Sequence, residues 1–250
     1  MSRIALITGA TSGIGKATAE LFADAGIDLI LCGRRQEKLD EIAEKLSSKV
    51  EVTTLIFDVR DKGAVTAMIN SLSDDWKNID ILVNNAGNAH GLGSLDEGDP
   101  EDWDAMIDGN VKGLLYVSKA VIPLLLERGK GHIVNISSIA GKQTYPNGAV
   151  YCASKAAVEV ISEGMRLELT QHGIKVTNVA PGAVETEFSL VRFKGDEARA
   201  EKVYQGFDPL QAGDIADSIL YAVNAPDRVT IADITILASA QSTATTIHRK

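Results

Sequence analysis

Short apolar runs alternate with longer stretches of mixed polarity almost from end to end of this 250-residue chain. The runs RIALIT, DLILC, VEVTTLIF, IDILVN, HIVNIS, KVTNVA and DITILA read as strands. Most are continuously apolar rather than alternating, which is the pattern of strands covered on both faces. Between them, residues 15–25, 37–47, 63–71, 103–127 and 149–170 carry helical patterns. Strand alternating with helix predicts an α/β fold: a doubly wound sheet of about seven parallel strands with helices on both faces. No linker rich in Pro, Ser or Gly breaks the alternation, and no repeat is visible, so residues 1–250 are expected to form a single domain. The least regular piece, 185–212, is rich in charge and Gly, and a long loop in a compact domain predicts a substrate-binding lid.

Composition narrows the partners. Hydrophobic residues make up 45% and charged residues 24%, an ordinary globular balance. A net charge of −9 argues against a nucleic-acid partner, which needs a basic surface, and leaves room for a local basic pocket that takes a small anion. Cys32 and Cys152 have no metal-ligand spacing and suggest no disulfide framework; they are expected to be buried thiols, with no metal site. The start MSRIALITGA lacks a charged head and long apolar run, and the apolar stretches read as too short to cross a bilayer. The expectation is a soluble, cytoplasmic protein with a small-molecule substrate and no membrane.

The first strand runs into TGATSGIGKA, where Gly9, Gly13 and Gly15 are spaced G-x-x-x-G-x-G and open a helix. Glycines there allow a tight turn and bring a diphosphate close to the backbone N–H groups of the helix N-terminus, as in a Rossmann-type nucleotide site. Thr11 and Ser12 add hydroxyl donors, and Ile14 lies within the turn. The second strand ends in LILCGRRQEKL. NAD calls for an acidic residue at that strand end to hold the ribose hydroxyls. Arg34 and Arg35 stand there instead, and guanidinium forks suit a dianionic 2′-phosphate. Two cations near a helix N-terminus oppose the helix dipole, which makes an anion a useful counterpart. The reading favours NADP(H) over NAD(H).

In VYCASKAAVEVI, Tyr151 and Lys155 are four residues apart and so share one helix face. A phenol of ordinary pKa about 10 is a poor base, and a neighbouring ammonium lowers that value. The pair is therefore suited to pass a proton to or from an alcohol or carbonyl oxygen, and Lys155 is also placed to hold a ribose hydroxyl. Alone, the spacing equally describes a Tyr at a core edge beside a solvated Lys. Its surroundings argue otherwise. The run GHIVNISSIAG is a strand ending in Ser137 and Ser138, and ligands bind at the C-terminal ends of parallel strands. Ser138 can donate there to a carbonyl oxygen. NNAG, residues 84–87, follows the fourth strand at the same edge, and APGAVETEF follows the sixth. Asn110, in DGNVKG, is a mediocre helix former inside a helical stretch, which marks a functional or kinking residue.

Taken in order, TGxxxGxG, NNAG, a helix Asn, SxxG, YxxxK and PG resemble the short-chain dehydrogenase/reductase family over essentially the whole chain. The resemblance implies a catalytic tetrad of Asn110, Ser138, Tyr151 and Lys155. Tyr151 would be the acid/base, Ser138 would position the substrate oxygen, Lys155 would lower the Tyr pKa and bind ribose, and Asn110 would hold a water linking Lys155 to solvent. It also implies that Asp58 accepts from the adenine amino group with the Val59 N–H beside it. Asn85, Ala86 and Gly87 would line the adenosine ribose, and Pro181, Gly182, Val184 and Thr186 would contact the nicotinamide side. The cofactor carries the hydride. A homotetramer is implied, with the helices at 103–127 and 149–170 packed between subunits.

The stretch TEFSLVRFKGDEARAEKVYQ, with GRRQEKL, PEDWDAMIDGN and the tail SAQSTATTIHRK, resembles the NADP-dependent 3-hydroxy acid dehydrogenases, which act on serine, allo-threonine or malonic semialdehyde. Such a substrate needs its carboxylate paired. Arg192 or Lys194 is expected to do this, Arg192 with the better geometry, unless both are solvent-facing charges balanced by Asp196 and Glu197. Gln143 and Tyr145 are expected to line the pocket; Phe188, Phe193 and Tyr204 are expected to pack the lid. His90, His132 and His172 read as structural, and His248 is expected at a subunit interface or near a neighbouring lid. The same scaffold serves 3-oxoacyl carrier-protein reductases and broad carbonyl reductases. A nucleotide sensor without turnover is the alternative from another class, and the intact tetrad speaks against it.

Overall fold

Leu6 and Ile7 are neighbours in the first strand, yet they go to opposite sides of one sheet and into two separate apolar cores. The same division recurs at Ile30 and Leu31, since successive strand residues face opposite ways. Both faces are thus apolar, which is why these strands read as unbroken hydrophobic runs.

A computed structural model describes residues 2–250. Its elements run β1 (Ile4–Thr8), α1 (Gly13–Asp24), β2 (Asp28–Gly33), α2 (Gln36–Leu46), β3 (Val52–Ile56), α3 (Lys62–Asn70), β4 (Ile81–Asn84), α4 (Pro100–Ile107), α5 (Leu114–Arg128), β5 (Gly131–Ile136), α6 (Ile139–Lys142), α7 (Ala149–Leu169), β6 (Ile174–Pro181), β7 (Val184–Glu185), α8 (Phe188–Arg192), α9 (Glu197–Lys202), β8 (Leu210–Gln211), α10 (Ala212–Val223) and β9 (Asp233–Ile236). The main sheet has seven strands, all parallel, in the order β3-β2-β1-β4-β5-β6-β9. This is the single doubly wound α/β domain expected. Phe22 of α1, Leu39 of α2 and Ile219 of α10 fill one core, while Val65 of α3, Val121 of α5 and Val158 of α7 fill the other. The strand order reverses between β1 and β4, and that switch point opens a crevice at the C-terminal strand ends.

Two stretches differ from the sequence pattern. The helix expected over 103–127 begins earlier, at Pro100, where the Asp99 side chain accepts from the Glu101 N–H and proline fits the first turn. It is then interrupted by a π-helical turn, Asp108–Gly113, which carries Asn110. The whole stretch Pro100–Arg128 is 29 residues long, so by length and composition it passes for a membrane span, contrary to the expectation that every apolar run is too short. Its residues Leu114, Val117, Val121 and Leu125 lie in the core under the sheet, as in a core helix. The expected lid, 185–212, is built from α8, α9 and the two-stranded parallel ribbon of β7 and β8.

The C-terminal tail folds back on its own chain. Gln241 and Ile247 form an antiparallel bridge, the Lys250 N–H donates to the Gly206 carbonyl, and the Arg249 guanidinium bonds the carbonyls of Val203 and Gln205. His248 is exposed, and its N–H donates to the Ala240 carbonyl of the same chain.

Candidate active site

The glycine turn follows directly from the backbone. Gly9 and Gly13 have φ of 66° and 52°, in the left-handed region that favours glycine. A Cβ on Gly9 would lie 2.8 Å from the Asn85 amide nitrogen, and one on Gly13 would lie 3.2 Å from Thr186 Cγ2. Asn85 Nδ2 donates to the carbonyls of Thr8 and Gly9, so the NNAG loop pins the turn from behind. Gly15 lies off the wall of the crevice; a Cβ there would collide with the Gly9 carbonyl and Asn85, so its role is close packing.

The crevice is a cleft of about 700 Å³. Its wall includes Gly9, Thr11, Ser12, Gly13 and Ile14 with Arg34, Arg35, Asp58, Val59, Asn85, Ala86 and Gly87. The same wall includes Ser138, Tyr151, Lys155, Pro181, Gly182, Val184 and Thr186. Arg35 is held firmly: its Nε and Nη2 donate to the Thr11 hydroxyl, and its Nη1 pairs with Glu187 at 3.0 Å. Glu187 also pairs with Lys38 at 3.1 Å. Asp58 takes a fork of bonds from Arg60 and lies 3.5 Å from Arg34, which holds its carboxyl below the usual range despite partial burial. The cleft wall therefore carries Arg34, Arg35 and Arg60. Arg60 escaped the sequence reading, although DVR at a third strand end was a visible signal. Glu187 and Lys38 escaped it too. A backbone cradle that a Cβ would fill, followed by a group of guanidiniums, fits a dinucleotide with an extra phosphate on its ribose.

The four tetrad residues are all buried: Asn110 is 2% exposed, Ser138 9%, Tyr151 7% and Lys155 6%. Ser138 caps α6, its hydroxyl accepting from the Ala140 N–H. Lys155 Nζ donates to the Ile136 carbonyl at 2.9 Å, at the end of β5. Asn110 bonds Asn88 in both directions, accepting from its N–H and donating to its carbonyl, each at 2.8 Å, and donates also to Ser154. The π turn thus buries an amide against the loop after β4. A Cβ on Gly87 would lie 2.7 Å from Asn110 Oδ1 and 3.4 Å from Lys155 Nζ, so the amide oxygen and the ammonium flank one glycine.

The electrostatics correct one expectation. Burial pushes the Tyr151 phenol above its ordinary value, and the Tyr145 phenol adds to the rise; a bond to Ser138 and the charge of Arg192 only partly oppose it. Lys155 is itself pushed down to about 8 by burial, against the charge of Glu159. The phenol is held protonated rather than brought toward ionisation, because desolvation at this depth outweighs the charges around it.

Beyond the tetrad, Arg192 enters the cleft from α8. Its Nε donates to the Gly91 carbonyl and its Nη2 to the Tyr145 hydroxyl, both at 3.2 Å, and its guanidinium carbon is 5.7 Å from the Tyr151 ring centre. Among the described residues no carboxylate pairs with it. Lys194 differs: its ammonium lies 3.0 Å from Asp102 and 3.5 Å from Asp99, outside the cleft. Tyr145 lines the cleft as expected, but Gln143 does not; its side-chain oxygen accepts from the Ala244 N–H of the tail. Phe188 packs on Tyr151 with ring centres 5.7 Å apart, and Tyr204 bonds Ser189 and the Val184 carbonyl. His132 is a core residue, 2.7 Å from the Thr177 hydroxyl, and burial pushes its pKa down to about 4. His172 lies in a surface turn, whereas His90 lines the cleft. Cys32 and Cys152 are free and buried.

Known proteins are similar to this chain over nearly its whole length. A sulfoacetaldehyde reductase of Chromohalobacter salexigens is 47% identical over 243 residues, 97% of this chain and 96% of that protein. The NADP-dependent 3-hydroxy acid dehydrogenase YdfG of Escherichia coli is 42% identical over 249 residues, 99% of this chain and 100% of that one. Among solved structures, the closed form of serine dehydrogenase complexed with NADP+ superimposes with a TM-score of 0.93 at 42% identity, covering 99% of this chain and 100% of that one. The family match, to short chain dehydrogenase, extends over residues 3–196. With the glycine turn and the seven-stranded sheet in place, the chain belongs to the short-chain dehydrogenase family.

Proposed function

We propose that this protein is an NADP(H)-dependent oxidoreductase that interconverts a small 3-hydroxy acid, such as serine, allo-threonine or 3-hydroxypropionate, and its 3-oxo acid or semialdehyde. The observation that carries the substrate class is Arg192, a cation without a carboxylate partner among the described residues and set 5.7 Å from the Tyr151 ring. An anionic group on the substrate fits there, while its oxygen reaches Tyr151 and Ser138.

When bound, the cofactor gives or takes the hydride. Gly9, Thr11, Ser12, Gly13 and Ile14 would seat its diphosphate, and Arg34, Arg35 and Arg60 its 2′-phosphate. Asp58 and Val59 would meet the adenine, and Asn85, Ala86 and Gly87 the adenosine ribose. Lys155 would hold the other ribose, and Pro181, Gly182, Val184 and Thr186 would face the nicotinamide. In reduction, Ser138 donates to the carbonyl oxygen and Tyr151 gives it a proton, leaving a phenolate; in oxidation that phenolate takes the proton from the alcohol. The raised pKa of Tyr151 supports its role as donor, because the phenol stays protonated at neutral pH. Lys155, charged at neutral pH, stabilises the phenolate that the transfer leaves, and Asn110 fixes the loop beside it.

A second reading follows from the 47% identical sulfoacetaldehyde reductase. A sulfonate two atoms from the reacting carbon presents Arg192 with the same charge at nearly the same reach as a carboxylate. Assembly as a homotetramer through α5 and α7 is supported by the apolar side chains they expose, among them Leu115, Leu126, Val160 and Leu167.

The experiment follows NADP+ reduction by absorbance with L-serine, L-allo-threonine, 3-hydroxypropionate, 2-hydroxyethanesulfonate and a simple secondary alcohol. Turnover that requires the anionic group supports this reading, and the ranking of carboxylate against sulfonate decides between its two forms. Equal or better turnover of the uncharged alcohol makes the protein a general carbonyl reductase.

A further inference from the structure

Lys142 is the last residue of α6, the four-residue helix that Ser138 caps. Its ammonium lies 2.8 Å from Glu159 Oε2 on α7 and 2.9 Å from Asp233 Oδ2 on β9. Asp233 in turn accepts from Asn178 of β6 at 2.7 Å. One cation therefore ties the helix that starts with Ser138 to the helix that bears Tyr151 and Lys155, and both to the sheet edge. The two helices touch closely here: a Cβ on Gly141 would lie 2.8 Å from the Lys155 carbonyl oxygen, and Ser137 Oγ donates to that same oxygen at 3.1 Å.

Tyr151, Lys155 and Glu159 follow one another at intervals of four and so form one stripe of α7. Glu159 uses one oxygen on Lys142, while Oε1 is buried with no hydrogen-bond partner among the described residues. A half-buried carboxylate with one unpartnered oxygen, one helical turn from a buried ammonium, acts on that ammonium through space. The polar groups around Lys155 are few: the Ile136 carbonyl from β5, Asn110 Oδ1 across Gly87, Tyr151 on its own helix, and Glu159. Glu159 is in turn faced by Lys142 from α6, with Asp233 of β9 and Arg166 of α7 next to that pair.

We propose that Lys142 and Glu159 are positioning residues for the proton transfer: Lys142 braces Ser138 against Tyr151, and Glu159, moderated by Lys142, holds the proton on Lys155. The inference rests on the assignment of Ser138, Tyr151 and Lys155 made above. Burial lowers Lys155 to about 8 and Glu159 is the charge that opposes this, so reduction is supported below that pH and declines as pH rises through it. Neutralising Glu159 removes the support. Neutralising Lys142 leaves the charges of Glu159 and Asp233 bare and increases it.

The test measures the pH profile of kcat for aldehyde reduction with saturating NADPH. Glu159→Gln is expected to move the alkaline limb down by about half a pH unit or more, and Lys142→Met to move it up by about as much. Lys142→Met should also lower kcat several-fold at neutral pH with KM for NADPH little changed, and Lys142→Arg should restore both kcat and limb. Loosened packing alone does not move the limb in opposite directions. Limbs that stay in place, or that both move the same way, overturn the proposal. If Lys142→Met does not fold, Glu159→Gln and Lys142→Arg decide it: a limb unmoved in the first, or moved upward in the second by as much as the first moves it down, overturns it. Tyr151→Phe serves as the control. Activity retained there overturns the tetrad assignment, whereas an inactive Tyr151→Phe with unmoved limbs overturns only the brace.

Discussion

Replacing Arg192 separates a substrate-binding role from a merely structural one, and the structure sets the size of the effect. The guanidinium has five N–H donors. Its Nε and Nη2 reach the Gly91 carbonyl and the Tyr145 hydroxyl, which leaves donors for an anion beside Tyr151. A hydrogen bond to a charged group contributes about 1.5–3 kcal/mol, so losing a bidentate pair removes about 3 kcal/mol or more. At about 1.4 kcal/mol per factor of ten, Arg192→Leu should lower kcat/KM for 3-hydroxypropionate by on the order of a hundredfold or more. Arg192→Lys keeps the charge and loses the fork, and should lower it by about tenfold. For an uncharged secondary alcohol both variants should stay within about threefold of the parent, because the backbone bond from the Gly91 N–H to the Arg192 carbonyl still docks α8 on the loop after β4. The assay is the same absorbance measurement, with kcat/KM taken for both substrates on all three proteins. Equal losses on the charged and uncharged substrates would refute the reasoning. They would mean that Arg192 serves only to hold Tyr145 and the Gly91 loop in place.

Arg34→Ala with Arg35→Ala should weaken NADPH binding by tenfold or more, on the order of one lost charge-assisted bond or greater, and NADH binding far less, as read by equilibrium titration. Equal losses would remove the phosphate argument. Tyr151→Phe should reduce kcat by on the order of a thousandfold while leaving the dissociation constant for NADPH unchanged, and retained turnover would sink the proton role. His132 is 6% exposed and titrates at about 4, below its unfolded value of about 6.5. Between those pH values the unfolded chain binds a proton that the native state refuses, so stability falls as pH drops from about 6.5 to 4, by about 3 kcal/mol in total. Denaturant midpoints of His132→Gln should decline less over that window; an identical slope would place the acid sensitivity elsewhere.

The parts of the site that were legible in the sequence are those whose partners lie close along the chain. IALIT and LILC announce strands because burial on both faces excludes polar residues from them. The glycine turn and the Tyr151–Lys155 stripe are local geometry, readable from spacing alone. Other features depend on what arrives from elsewhere. The sign of the Tyr151 shift is not legible in the sequence, because a nearby ammonium is visible at spacing four, whereas the burial that raises the phenol exists only in the folded protein. The π turn hides because the apolar face on either side of it still fits a helical period, and only Asn110 between Gly109 and Gly113 hints at it. Gln143 follows closely on Ser138, yet the chain turns extended there, at φ −140°, and sends the amide to the tail.

Arg192 and Lys194 show the limit most sharply. They are two residues apart with the same charge, and composition does not distinguish them. Between them α8 ends at Phe193, and Lys194 takes a left-handed φ of 53°, so the second cation swings out to Asp99 and Asp102. Those carboxylates sit at the start of α4, some ninety residues earlier, and fasten the outside of the segment. Arg192, still on the helix, is left facing the cleft with its guanidinium against Tyr145 and Tyr151. Which of the two cations faces the cleft is therefore chosen by where a five-residue helix stops. Moving that stop by a single residue would rotate the arginine away from the phenol and leave every motif of the family intact.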